Sequence, residues 1–165
     1  MIRKAFPHIA VLLLIGLTWC KNSAADNAAK IGAILKPFAG EWVVVSLDRG
    51  GKRSSAQEMQ DIRVTVEGDR FTIVELRGSR AFAGGRSVRD VFTEDYTLQV
   101  DPAQPLGEIN FAYLSPSDLL GQTRPGLYAF EENQLKICLA ESGGSRPTDF
   151  TAGNKVQVLV LESKK

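Results

Sequence analysis

Few residues in this chain suit acid–base, nucleophilic or metal chemistry. Its only histidine is His8, and its two cysteines are Cys20 and Cys138. His8 and Cys20 fall in a leader of 25 residues expected to be removed, which would leave one cysteine and no histidine. That excludes Ser-His and Cys-His catalysis, the usual zinc ligand sets and an internal disulfide. Cys138 sits in the apolar stretch 135–140 with nothing nearby to lower its pKa, so it reads as an inert buried thiol. The acid pairs Glu94-Asp95 and Glu131-Glu132, with Asp90 nearby, remain. Neighbours on a strand point to opposite faces, so these read as solvated surface rather than as glycosidase-type pairs. No catalytic residue, metal site or cofactor is assigned, and a non-enzymatic protein is expected.

Two other groups suit binding. Arg77, Arg80, Arg86 and Arg89 lie in the glycine-rich stretch 77–89, read as a loop with no acid before Asp90. Such a cluster can dock phosphate, sulfate or an anionic lipid, or can simply be a soluble loop. Phe82, between two alanines, keeps a partner-binding role for the loop open. The aromatics Tyr96, Phe111, Tyr113, Tyr128 and Phe130 share one parity on three strands. Phe111, Tyr113, Tyr128 and Phe130 are the candidate wall of a pocket for a small apolar or amphipathic ligand. The other possibility is that they fill the interior, since an eight-stranded barrel is just wide enough for either.

The elements that place these residues begin after residue 25. Arg3 and Lys4, an apolar run from Ile9 to Trp19 and the small residues Ser23-Ala24-Ala25 have the layout of a secretory signal. The apolar run is short for a membrane span, which leaves an uncleaved anchor as the alternative. A lipoprotein attached through Cys20 is disfavoured by its neighbours Trp19 and Lys21. Removing Arg3, Lys4 and Lys21 from the 20 Lys and Arg leaves 17 against 19 acids, a mature charge of −2. That balance argues against a nucleic-acid binder. One domain of residues 38–165 is expected, preceded by a helix over 26–37 that packs on it through Ile31, Ile34, Leu35 and Phe38. Pro37 should end that helix, and Gly40 should turn the chain into the first strand.

Strands are expected at 41–48, 63–67, 70–74, 89–100, 108–114, 126–130, 135–140 and 156–162, from alternation and turn signals. Val43-Val44-Val45 suggests a first strand covered on both faces. Ser55 and Glu58 have capping-box spacing, so a helical turn should follow. The segment 49–61 is too long for a tight hairpin and can cover one end of the fold. About eight strands with only short helical pieces close most economically as an antiparallel barrel.

Gly40-Glu41-Trp42-Val43-Val44-Val45-Ser46 resembles the opening of a secreted domain family of unknown function, abundant in planctomycete bacteria. In order follow Gly68-Asp69-Arg70-Phe71, Asp101-Pro102 with Pro105 and Ile109-Asn110, Gly126-Leu127-Tyr128, Leu135-Lys136-Ile137-Cys138-Leu139 and Arg146-Pro147-Thr148-Asp149-Phe150. The resemblance covers about residues 38 to 163. It implies a lipocalin-like (calycin-type) barrel, in which Gly40 and Trp42 form the structural plug of the closed end. Lipocalins usually set a late arginine against that tryptophan; the last strand here has none, leaving Arg146 or Lys164 as substitutes. No catalytic residue comes with the family. The expectation is therefore a mainly β, monomeric, secreted or periplasmic binding module with no membrane span after cleavage. Its partner would be a small apolar ligand or an extracytoplasmic protein. The alternative is a filled barrel that binds a protein or envelope polymer through the 77–89 loop.

Overall fold

A computed structural model of the chain describes residues 22–81, 87–101 and 106–164. Of the expected leader, residues 1–21 lie outside the described residues, as do Phe82, Arg86 and the side chain of Arg80. The chain divides into a unit ending at Ala33 and a unit of Ile34–Lys165. Helix α1 (Asn22–Leu35) runs through the boundary and gives way to a 3-10 turn, Lys36–Phe38, at the expected proline. Of the four apolar residues expected on one face, Leu35 and Phe38 are buried, whereas Ile31 is exposed.

The second unit is an antiparallel, lipocalin-like barrel of eight strands. They are β1 (Gly40–Arg49), β3 (Ile62–Glu67), β4 (Arg70–Ala81), β5 (Ser87–Asp101), β6 (Gly107–Ser115), β7 (Thr123–Glu131), β8 (Gln134–Ala140) and β9 (Val156–Ser163). Each pairs with the next, and β1 closes the ring against β9. The stub β2 (Lys52–Arg53) folds back on the end of β1 across Gly50-Gly51. Helix α2 (Ala56–Gln60) follows, and its Ser55–Glu58 capping box is formed in both directions. Short turns join β3 to β4 and β7 to β8 at the end where β1 begins, here the plugged end, where β5 also ends and β6 begins. The connections β1–β3, β6–β7 and β8–β9 lie at the other end, the rim, where β4 also ends and β5 begins.

The expected inward faces are the ones observed. Tyr96, Leu98, Ile109, Phe111 and Tyr113 are buried, together with Leu47, Val64, Val66, Phe71, Leu135, Ile137 and Leu161. Three differences from the sequence reading matter. The ladder of β4 and β5 runs on through Arg77↔Asp90 to Ala81↔Ser87, past a bulge between Arg77 and Arg80, so much of the expected 77–89 loop is strand. Val43 is 42% exposed, so β1 is not covered on both faces. Finally, β7 starts at Thr123, upstream of Gly126, and takes in Pro125; β8 pairing begins at Gly126, so the proline lies outside that ladder.

Outside the barrel, Leu127, Cys138 and Val158 form a row across β7, β8 and β9 and are buried too. The 141–155 segment runs over this face, with Lys136 Nζ 5.1 Å from the ring of Phe150. Arg146 pins the segment down. Its Nη1 donates to the carbonyls of Ile109 and Gly126, its Nη2 to Asn110 Oδ1 at 2.9 Å, and its Nε meets Glu108 at 3.2 Å.

Candidate functional site

The plugged end is built from Trp42 outward. Gly40 adopts φ +130°, a region side chains avoid, and delivers Trp42 to the interior. The Trp42 indole N–H donates to the carbonyl of Phe38 at 2.8 Å. Neither basic substitute reaches that role: Arg146 is held on β6 and β7, and Lys164 Nζ donates to Glu41 at 2.7 Å. The ring of Phe38 stands edge-on to Tyr128 and Phe130, with centroids 4.9 and 5.0 Å away. Tyr128 in turn covers Gly107, its partner on β6. The backbone of Gly107 thus has no room for a side chain beneath that ring.

The four candidate wall residues therefore fall into two groups. Tyr128 and Phe130 belong to the plugged end, where Phe130 is still 41% exposed. Phe111 and Tyr113 lie midway up the interior with Phe71 and Tyr96. Centroid separations of 4.8 Å (Phe71–Phe111), 5.2 Å (Tyr96–Phe111) and 4.6 Å (Tyr96–Tyr113) bring these rings into contact. Burial, then hydrogen bonding with Tyr113 and the neighbouring Glu94, pushes the Tyr96 phenol far up. Its O–H donates to Glu94 Oε2 at 2.8 Å. Side chains, not a hollow, occupy this level of the barrel.

Above it the inward positions turn polar. A bulge at Val45 shifts the phase of β1, so Leu47 and then Arg49 face in after Trp42 and Val44. Arg49 pairs with Gln157, which continues the inward series of Leu161 and Leu159 on β9. On β7, Arg124 continues the series of Tyr128 and Gly126. Glu75 and Arg77 continue that of Phe71 and Ile73 on β4. Arg49 Nη2 reaches Glu75 Oε2 at 3.2 Å, and Arg77 meets the same oxygen at 2.8 Å. Burial pushes the Glu75 carboxyl up, but the two guanidiniums more than offset it, so the group titrates below its ordinary range. Met59 of α2 and Leu119 of the β6–β7 connection pack on the core from this end, as the covering role of 49–61 requires.

The depressions lined by described residues include the following three. One, of about 310 Å³, lies at the rim between Arg49, Arg124, Glu141, Asn154, Lys155 and Gln157. A second, also about 310 Å³, adjoins it along 140–145 and shares Glu141, Asn154 and Lys155. The third, about 230 Å³, is on the outer face by Thr65, Glu67, Arg70 and Thr72. There Arg70 is already committed to Asp95, Nη2 to Oδ2 at 2.9 Å, and Thr72 donates to Asp95 Oδ1 at 2.6 Å. None of the three takes a wall from Phe111, Tyr113, Tyr128 or Phe130.

The described arginines of 77–89 do not form one basic surface. Arg77 lies on Glu75 and over the Phe92 ring, 4.1 Å from its centroid, and Arg89 is paired with Asp61. Cys138 is fully buried, and burial followed by Asp149 pushes its thiol up to about 11. A thiol so raised is protonated at neutral pH and a poor nucleophile. Among the described residues, no three His, Cys, Asp or Glu side chains gather as a metal cluster. Compared with known proteins, the chain matches no protein-family model and no curated protein.

The residues that sequence reading passed over are Arg49, Glu75, Arg124 and Gln157. The signal was an apolar inward series on four strands that ends, each time at the same pole, in a polar residue. Reading it needs the pairing register, and on β1 the bulge as well.

Proposed function

We propose that this protein is an exported, non-enzymatic binding module whose small amphipathic ligand sits at the rim of the barrel. Its membership of the planctomycete lipocalin-like family, suggested by the ordered motifs, is part of the same proposal. The observation that carries it is the contrast along the barrel axis. Touching rings of Phe71, Tyr96, Phe111 and Tyr113 occupy the middle, whereas the rim holds a depression of about 310 Å³ with convergent polar groups. That volume is at the small end of the range of small-molecule sites. Convergent polar groups are what fixes a ligand's orientation there, although Val156 is the only apolar side chain larger than glycine in this lining. Native mass spectrometry of the protein recovered from its own host tests this. A bound small mass that leaves on denaturation is expected; protein recovered only in its bare form would count against the reading.

One observation favours a second reading, that of a partner-binding module. β3 pairs with β4 only as far as Glu75, and β6 with β5 only from Asp95. The β4–β5 ladder continues beyond both as a two-stranded ribbon, with Val91 64% exposed. Unpaired strand edges are templates for an added strand. Cross-linking in the host envelope through a residue placed at Val91 would trap a protein neighbour under this reading and none under the first.

A further inference from the structure

We propose that the rim depression selects a ligand carrying an oxyanion, a carboxylate or phosphate group, with Arg49, Arg124 and Lys155 as its cationic wall. This rests on reading the rim as the ligand site and adds the chemical class. Three cations and one carboxylate, Glu141, face one concavity of about 310 Å³. The whole mature chain is expected to be slightly acidic, so this local excess of positive charge runs against the rest of the molecule.

The three cations differ in how they are held. Arg124 is half-buried and donates from Nε to the carbonyl of Ala140 at 2.9 Å. That bond fixes the guanidinium plane and leaves both Nη groups without a partner among the described residues, the fork that recognises an oxyanion in two places. Arg49 is anchored through Nη2 to Glu75. Lys155 meets Glu141 only at 4.0 Å and has φ +66°, a conformation rare for a residue with a side chain. The carbonyl of Lys155 accepts from Glu141 N at 3.1 Å, which holds the residue at the concavity despite that conformation. Backbone strain of this kind gathers at ligand clamps. Gln157 and Asn154 add neutral amides to the same wall.

The chemistry is tested by titrating the mature protein with octanoate, octan-1-ol and inorganic phosphate at low salt. Octanoate should bind at least about tenfold more tightly than the alcohol, because hydrogen bonds to charged groups are the stronger ones. The preference should shrink by about tenfold in Lys155→Gln combined with Arg124→Gln and should stay within about twofold in Lys164→Gln at the plugged end. Thermal melts check that each variant is folded. Phosphate competing with octanoate would make the oxyanion the shared feature; phosphate bound alone would make the tail dispensable. Equal binding of octanoate and octanol overturns the oxyanion inference and leaves the rim site standing. Octanoate binding that ignores the double variant also overturns it, and binding of none of the three contradicts both readings.

Discussion

The two ends of this barrel are made from the same strands and differ in what the inward positions carry. β1 runs from Trp42 to Arg49, β7 from Tyr128 to Arg124, β9 from Leu161 to Gln157 and β4 from Phe71 to Glu75. At the plugged end the inward positions of β1 and β7, Trp42 and Tyr128, are buried with Phe38, whose ring stands edge-on to Tyr128, and the Trp42 indole N–H donates to a carbonyl. At the rim they hold guanidinium and carboxylate groups that remain partly in water. Alternation along a strand fixes which side faces in; it says nothing about how deep that position lies. Depth decides the chemistry: apolar burial gives stability at one pole, and charge held at the edge of water makes the other the place where recognition is proposed.

If that contrast is right, substitutions should lose importance from plug to rim. Trp42→Ala should be the most damaging, costing about 3–5 kcal/mol, as large aromatic truncations in cores do. Urea melts measure it, and a small effect would mean that the plug is not what holds the barrel. Gly107→Ala should cost about 1–3 kcal/mol, because a Cβ there would run into the Tyr128 ring and overpack the same end. A fluorescence melt of that variant against wild type reads this value; no change would show that the ring can swing clear.

At the rim, Glu75→Gln should cost about 1 kcal/mol or less at neutral pH, since its partners Arg49 and Arg77 are half exposed. The effect has a pH signature. The folded-state pKa lies below the ordinary 4.5, so the stabilisation is complete above that value and is lost as pH falls through the folded pKa. The gap between wild type and Glu75→Gln should therefore close in acid, and melts from pH 7 down to pH 3 follow it. A gap that widened in acid would mean the carboxyl is not held ionised. Smallest of all, Lys155→Gln should change stability by no more than about 0.5 kcal/mol, since its ion pair with Glu141 is long and exposed.

Much of the plugged end was legible in the sequence, and little of the rim was. Gly40, Trp42 and Pro37 act through local backbone preference and bulk, which a sequence displays directly. The same holds for the Ser55–Glu58 box and for the parity of Tyr96, Leu98, Ile109, Phe111 and Tyr113. Strand ends are set by pairing instead. Arg77 looks like a loop residue because Gly78 follows it, yet the ladder persists through a bulge. Arg49 looks like part of a turn, and by simple alternation Ser46 and Asp48 would face in; the bulge at Val45 puts Leu47 and Arg49 there. The missing arginine of β9 misled in the other direction. The Trp42 indole needs an acceptor, and the 3-10 turn before β1 supplies one.

The central claim, that the rim binds and the plug only supports, can be read from one pair of amide nitrogen–proton spectra, recorded with and without octanoate. Trp42 is the only tryptophan after residue 25, so its indole N–H is a single reporter of the plugged end. Binding should move the backbone amides of Arg49, Arg124, Lys155 and Gln157 and leave the Trp42 indole and the Tyr128 and Phe130 amides in place. Movement of the Trp42 indole and the Tyr128 amide, with the rim unchanged, would contradict it and put the ligand at the end described here as closed.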